Sequence, residues 1–147
     1  MDHQLVVFGL AEELFGVEIE AVESIIKIQE ITRLPQMPAS ICGVINLRGH
    51  ILPVMDLRMR LGLPSTPHTP HSRIVIINHV QNKIGMMVDS VEEVVIVSDD
   101  AIESVSSIIT TINSEFIEGI AKLDDRLIVL LNLETVLATA MESSEMI

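Results

Sequence analysis

Residues 43–57, GVINLRGHILPVMDL, return in diverged form at residues 119–133 as GIAKLDDRLIVLLNL. At a constant offset of 76, Gly43 aligns with Gly119, Leu47 with Leu123 and Leu57 with Leu133, and nearly every apolar position between them stays apolar. Each copy reads as two strands around a tight turn. In the first, Arg48-Gly49 separates two apolar runs, and Gly49 can take the positive φ that a two-residue hairpin loop requires. In the second, Asp124-Asp125 takes that place, which Asp tolerates better than a branched residue would. Pro53 cannot donate to a ladder, so its strand is expected to lie at an edge there.

The front of the chain repeats as well. The apolar runs QLVVFG at 4–9 and RIVIIN at 73–78 are followed by Phe15-Gly16-Val17 and Ile84-Gly85-Met86, all at an offset of 69. The two offsets differ by 7, so the second half carries about one extra turn or loop within residues 95–118. Period-two alternation and β-branched runs predict strands at 5–8, 14–17, 24–31, 43–47 and 51–54, then at 74–78, 84–88, 91–97, 118–123 and 127–131. Helical pieces are expected at 38–41, at 57–61 and, near the C-terminus, at 134–141, with a short turn at 99–102. Five strands per half suggest a mainly β fold of two pseudo-equivalent five-stranded barrels, since closing each sheet removes its exposed edges. The division is expected at the Pro-rich linker 64–72, giving sub-barrels 4–63 and 73–137 within a single domain 1–147. A half of about 70 residues with no disulfide or metal has a marginal core of its own, so the two should share one hydrophobic core.

Composition narrows the function. Cys42 is the only cysteine, which excludes an internal disulfide and suggests a reducing compartment, and it is expected to be a small buried apolar residue before Gly43. The N-terminus lacks the basic region of a secretory signal and no apolar run approaches the ~20 residues of a membrane span, so a soluble, cytoplasmic protein is expected. A net charge of -12 with no Trp and no Tyr argues against nucleic acid and against direct binding to an anionic membrane. The acidic run from Asp89 to Glu103 has no Lys or Arg and reads as a solvated edge, without the alternating ligands and Gly turn of a calcium loop. Arg48, Arg58 and Arg60 fall close together and should give one surface a basic character.

Catalytic signatures are absent from the sequence. His68 and His71 have ligand-like spacing but lie in the Pro-rich linker with no Cys or carboxylate beside them, so they are read as loop histidines and no metal or cofactor is expected. There is no nucleophile elbow, phosphate-cradling Gly loop or His-Glu-x-x-His. Met55, Met59, Met86 and Met87 read as gap fillers among aliphatics rather than as an adaptable binding surface. Arg48 stays open: a long cation at a hairpin turn is either a solvated turn residue or a fixed contact.

The run from Leu34 and Pro35 through Pro38, Ile41 and Gly43-Val-Ile-Asn-Leu-Arg-Gly49 to Ile51, Pro53-Val54 and Asp56-Leu-Arg58 closely resembles the signature of the CheW family, the chemotaxis coupling proteins. Gly85-Met-Met-Val-Asp-Ser-Val91 and the second hairpin are similar to that family's later motifs, and the resemblance spans residues 5 to about 137. It implies SH3-like barrels and a non-catalytic adaptor that bridges chemoreceptor cytoplasmic tips to the regulatory domain of the CheA histidine kinase, cytoplasmic and held at receptor arrays through its partners. One barrel end would pair with a similar barrel of the kinase, and the groove between barrels would accept a receptor helix. By resemblance, Val6, Ile19 and Val22 match positions on a kinase-facing apolar surface. Ser24, Gly43, Arg48 and Gly49, with Gly85 and Val94, match positions tied to receptor coupling. The family commonly has Glu where Ser24 stands, and a carboxylate there could pair with the turn arginine. With Ser24, Arg48 must use another acceptor such as Glu23, or face solvent and partner.

Other classes predict different features. A small ligand-binding or hydrolytic barrel would show convergent polar groups and a perturbed titratable pair, and a Pro-peptide reader would need an aromatic groove, which three Phe without Trp or Tyr do not supply. A kinase-derived fragment or a CheV-like fusion with a receiver domain is set against a stand-alone coupler, which the chain ending at Ile147 favours. The output, flagellar chemotaxis, pilus motility or another pathway, is left open by the residues.

Overall fold

Both halves of the repeat build the same strands, but they exchange them. The computed structural model describes residues 1–104 and 114–138. Its strands are β1 (Asp2–Leu10), β2 (Glu13–Glu18), β3 (Val22–Lys27), β4 (Ile41–Leu47), β5 (His50–Asp56), β6 (Arg73–His79), β7 (Asn82–Val88), β8 (Ser90–Ser98), β9 (Ile102–Glu103), β10 (Ile117–Leu123) and β11 (Arg126–Leu131). One-turn helices α1 (Leu57–Arg60) and α2 (Leu133–Val136) follow β5 and β11. The repeat governs register as well as sequence. In β1–β2, Phe8 lies opposite Phe15, and 69 residues on, in β6–β7, Ile77 lies opposite Ile84. In β4–β5 the ladder shifts between Ile41 and Gly43, and 76 residues on, in β10–β11, it shifts between Ile117 and Gly119. Each bulge adds one unpaired residue and bends its strand. The helix caps repeat too: Asp56 accepts the Met59 N–H and Asn132 accepts the Thr135 N–H.

One sheet has the order β8-β1-β2-β11-β10-β9 and the other β3-β6-β7-β5-β4. Strands β8 and β9 are two arms of one strand bent at the 3-10 turn Asp99–Ala101, so each sheet amounts to five strands, as expected. The expected boundaries, 4–63 and 73–137, do not describe them. Strands β3 to β7 form one barrel from residues 22–88, inserted between β2 and β8 of the other. The first hairpin of each half lies against the second hairpin of the other half, β2 parallel to β11 and β7 parallel to β5. The cause is in the crossings. Only the three residues Ile19–Ala21 join β2 to β3 in the other sheet, and the single residue Asp89 joins β7 back to β8.

Asp89 is pinned at that crossing. Its carboxylate accepts two hydrogen bonds from Arg58, at 3.0 and 2.6 Å, and one from the Ala11 N–H at 2.9 Å. The Arg58 guanidinium, ahead of desolvation, holds the Asp89 carboxyl below the usual carboxylate range. Arg60 binds the other half's helix, donating to the Val136 and Thr135 carbonyls at 2.8 and 2.9 Å with its guanidinium 4.8 Å from the centre of the Phe116 ring. Two of the three clustered arginines therefore join the halves and do not form a basic surface, and Arg48 lies at the opposite end of β5.

The shared core lies between the barrels. Along β1, Leu5 and Val7 point into their own barrel with Val95, Val97, Ile128 and Leu130, while Val6, Phe8 and Leu10 point towards the other barrel. Strand β6 does the same, with Ile74 and Ile76 inside its barrel and Val75 and Ile77 on the shared side. Burial on both faces is why these strands are continuous apolar runs. The rings of Phe8 and Phe15 stack there with centroids 6.2 Å apart. Each such side chain contributes about 1.5–3 kcal/mol through burial, and much of that would be lost to a barrel standing alone.

Some local expectations change. The strand expected at 24–31 is β3, which ends at Lys27, and only Thr32 rejoins a ladder, bridging Val44. Residues 38–41 form one turn, the Ile41 N–H bonding the Pro38 carbonyl at 3.0 Å, because β4 begins at Ile41. The C-terminal helix begins one residue early, at Leu133, and the part expected beyond 138 lies outside the described residues. Strand β5 is interior, yet at Pro53 it pairs with β4 alone, since its ladder with β7 begins at Val54. The acidic run is exposed, as expected, but several of its carboxylates are paired. Besides Asp89, Glu93 pairs with Arg126, Glu103 with Lys122 at 2.7 Å, and Asp99 with His3.

The β6–β7 turn holds Val80 at φ 49° and Gln81 at φ 65°, although a branched residue is strained in the left-handed region. Its counterpart in β1–β2 uses Ala11 and Glu12. Replacing Val80-Gln81 with Asn-Gly should raise stability by about 1 kcal/mol, measured by urea unfolding, because that pair suits the turn. Unchanged or lower stability would contradict the strain.

His3 lies between two carboxylates, its Nδ1 at 2.7 Å from Glu18 Oε1 and its Nε2 hydrogen-bonded to Asp99. The hydrogen bond to Asp99 and then that to Glu18 raise its pKa above 6.5, while Asp99 is lowered from 3.8, chiefly by His3. The His3 contribution to stability is full below pH 6.5 and is lost as pH rises through its raised folded value. The Asp99 contribution is present above pH 3.8 and is lost as pH falls through its lowered folded value. The clamp is therefore strongest between those limits. Thermal unfolding midpoints should fall from pH 6 to pH 9 in the native chain, and the fall should shrink in His3→Gln.

Candidate functional site

The β4–β5 tip is a tight turn with Arg48 at φ 53° and Gly49 at φ 86°. Gly49 has open space around it and is there for its backbone. Asn46 explains the Asn-Leu-Arg-Gly order, because its side-chain carbonyl accepts the Gly49 N–H at 2.9 Å and closes the loop. Gln29 donates to the Asn46 carbonyl at 3.1 Å and ties the turn to the segment after β3. The tip is thus held without any help from the Arg48 side chain, which is exposed.

Behind the tip is a recess of about 310 Å³ lined by Ser24, Leu47, Arg48, His50, Leu52 and Lys83, with Glu23 at its rim. Glu23, the acceptor suggested for Arg48, is taken: it pairs with Lys83 at 3.2 Å. Among the described residues Arg48 has no carboxylate partner. Beside it, Ile51 is 66% exposed.

The other barrel shows what has changed. At equivalent places Glu93 stands for Ser24, Arg126 for His50, Leu127 for Ile51 and Asp124-Asp125 for the Arg48-Gly49 turn. There Glu93 and Arg126 form an ion pair, and the tip is left acidic. In the first barrel Ser24 supplies no charge and the arginine is uncommitted. The same scaffold therefore carries a cationic tip on one barrel and an acidic tip on the other.

The remaining expected residues separate into groups. Gly43 and Gly85 are buried inside the barrel that carries the recess, not on its surface. Gly43 sits at the bulge against Thr32, and a Cβ on Gly85 would come within 2.7 Å of Ile74 Cγ2. Val6 is 2% exposed, so it is not on an apolar surface; it is in the shared core, with Ile19 and Val22 packed against the same cluster. Alternation hid this, because both faces of β1 are covered. Val94, 53% exposed, pairs with Val6 on the other sheet rather than lying at the Arg48 recess. Its neighbour Ile96, 58% exposed, and the tip residue Ile51 are exposed apolar groups that pattern alone assigns to strand interiors.

Two fused, pseudo-equivalent β-barrels with differently charged tips define a double-barrel scaffold. A family model described as the CheW-like domain matches residues 4–141. The chemotaxis protein CheW of Bacillus subtilis is 37% identical over 134 residues, 91% of this chain and 86% of that one. The probable chemotaxis protein CheW of Rhizobium etli is 36% identical over 135 residues, covering 90% and 86%. Among solved structures, the scaffolding protein TtCheW from Thermoanaerobacter tengcongensis matches with a TM-score of 0.86 and 42% identity over 92% of each chain. The chain belongs to the CheW family of chemotaxis coupling proteins.

Proposed function

We propose that the protein is a non-catalytic adaptor that couples the cytoplasmic tips of chemoreceptors to the regulatory domain of a CheA-type histidine kinase. The observation that carries this reading is the uncommitted Arg48 beside exposed Ile51, on a turn stiffened by Asn46. A rigid tip that offers an unpaired cation and an apolar contact loses little on binding and favours a helix with acidic and apolar faces. The two diverged tips give the kinase and the receptor different barrels to engage. No helix among the described residues is long and apolar enough to cross a membrane, and the reading places the protein in the cytoplasm, at receptor arrays through its partners.

The test is a pull-down of the full chain with a CheA regulatory domain and, separately, with a receptor cytoplasmic fragment. Saturable binding to both, and a ternary complex when all three are mixed, is the expected result. Failure to bind either partner overturns the adaptor reading.

A further inference from the structure

Lys27 of β3 and Arg73 of β6 are directly opposed in their antiparallel ladder. Residues so placed have Cβ atoms about 4.5–5.5 Å apart, and like charges there repel. Neither has a carboxylate partner among the described residues, although the chain holds 21 Asp and Glu against 9 Lys and Arg. Arg73 is oriented rather than neutralised: its Nη1 donates to the Pro70 and Ser72 carbonyls at 2.9 and 2.8 Å, leaving Nε and Nη2 available.

The Pro-rich stretch is a built wall here. The Ser72 N–H bonds the Thr69 carbonyl at 3.0 Å, the Thr69 N–H bonds Ser72 Oγ at 2.8 Å, and the His71 N–H bonds Thr69 Oγ1 at 3.1 Å. This turn stands beside Arg73, and with the cation pair it borders an open recess of about 480 Å³ lined by Lys27, Ile28, His68, Thr69, Ser72 and Arg73. The volume is in the range of small-molecule sites, roughly 300–1,000 Å³, and exceeds what a lone inorganic anion fills. Ile28 supplies an apolar wall for the remainder of a ligand.

The geometry points to a binding site for a small phosphorylated molecule, its phosphoryl group held between Lys27 and Arg73 and its body against Ile28 and the Thr69–Ser72 turn. A phosphoryl group matches a guanidinium whose Nε–Nη2 edge is free to donate two parallel hydrogen bonds, with an adjacent point charge. A single carboxylate offers one negative charge to two cations and leaves the repulsion partly unrelieved. The site is separate from the Arg48 tip and does not depend on the adaptor reading.

The test uses the full chain labelled with ¹⁵N and titrated, at matched ionic strength, with glucose 6-phosphate, inorganic phosphate and glucose. Glucose 6-phosphate should give saturable amide shifts confined to residues 27–28 and 68–73, inorganic phosphate weaker shifts at the same amides, and glucose none. Lys27→Ala, an exposed substitution, should weaken glucose 6-phosphate binding at least tenfold, while Arg48→Glu should leave it unchanged. Lys27→Glu should raise the unfolding midpoint, by converting repulsion across the ladder into attraction, and abolish the response. Shifts that are absent, unsaturable or spread over the surface overturn the site, as does a Lys27→Ala chain that binds like the native one. A lowered midpoint in Lys27→Glu also overturns it, since the pair would then already be neutralised.

Discussion

Gly43→Ala is expected to destabilise the protein by about 3 kcal/mol, lowering the thermal midpoint by roughly 10 °C. Gly43 has φ +154° at the β4 bulge, and a Cβ there would be driven onto the Thr32 carbonyl oxygen and to 2.9 Å from Ile31 Cγ2. Backbone, not a flexible side-chain end, occupies the space. The two hydrogen bonds between Thr32 and Val44, at 2.9 and 2.8 Å, would have to open, and with them the bridge that closes this barrel. Urea unfolding with circular dichroism measures the effect. Because the defect is in the fold, binding to receptor and kinase should fall together and in proportion to the unfolded fraction. A Gly43→Ala chain of native stability that loses only one partner would contradict this account.

Arg48→Glu is expected to behave in the opposite way, keeping the fold and losing a partner. The turn depends on Gly49 and on the Asn46 hydrogen bond, and among the described residues the Arg48 side chain has no carboxylate partner, so stability should stay within about 0.5 kcal/mol of the native value. Receptor binding should weaken at least about tenfold, since reversal replaces an attraction with a repulsion at a stiff contact. Kinase binding should change little, because the adaptor reading gives the kinase the other barrel. Ser24→Glu gives an independent check: it restores to this barrel the carboxylate that Glu93 supplies to the other, and should weaken receptor binding by capturing Arg48. Unchanged receptor binding in Arg48→Glu, or an unfolded chain, counts against the tip as the receptor contact.

Much of this architecture is written in short-range pattern. The offsets 69 and 76 predict both pairs of hairpins and hold residue for residue in the ladders, bulges and helix caps. Alternation and turn chemistry are local, so one sequence shows them. The assignment of strands to barrels is not local. A hairpin presents the same faces whether it docks within its own half or across, so five strands per half and a Pro-rich linker point to halves that close separately. The short crossings at Ile19–Ala21 and Asp89 send the chain between sheets, and the Arg58 and Arg60 contacts fasten the exchange.

The candidate site divides along the same line. Asn-Leu-Arg-Gly marks a turn with an exposed cation, and the turn is found as expected. That Glu23 is committed to Lys83, that Val6 is inside the shared core, and that Val94 belongs with Val6 and not with Arg48 depend on neighbours far away in the chain. Lys27 and Arg73 likewise become a pair only through the β3–β6 ladder.

The duplication, the mainly β character, the hairpins, the turn residues and the family resemblance can all be read along the chain, because period, glycine placement and motif order are properties of neighbouring residues. Which hairpin pairs with which, which valines are buried in the shared core, and which cations lack a carboxylate partner among the described residues emerge only once the chain is folded. Those outcomes depend on burial and charge partners brought together across the two halves.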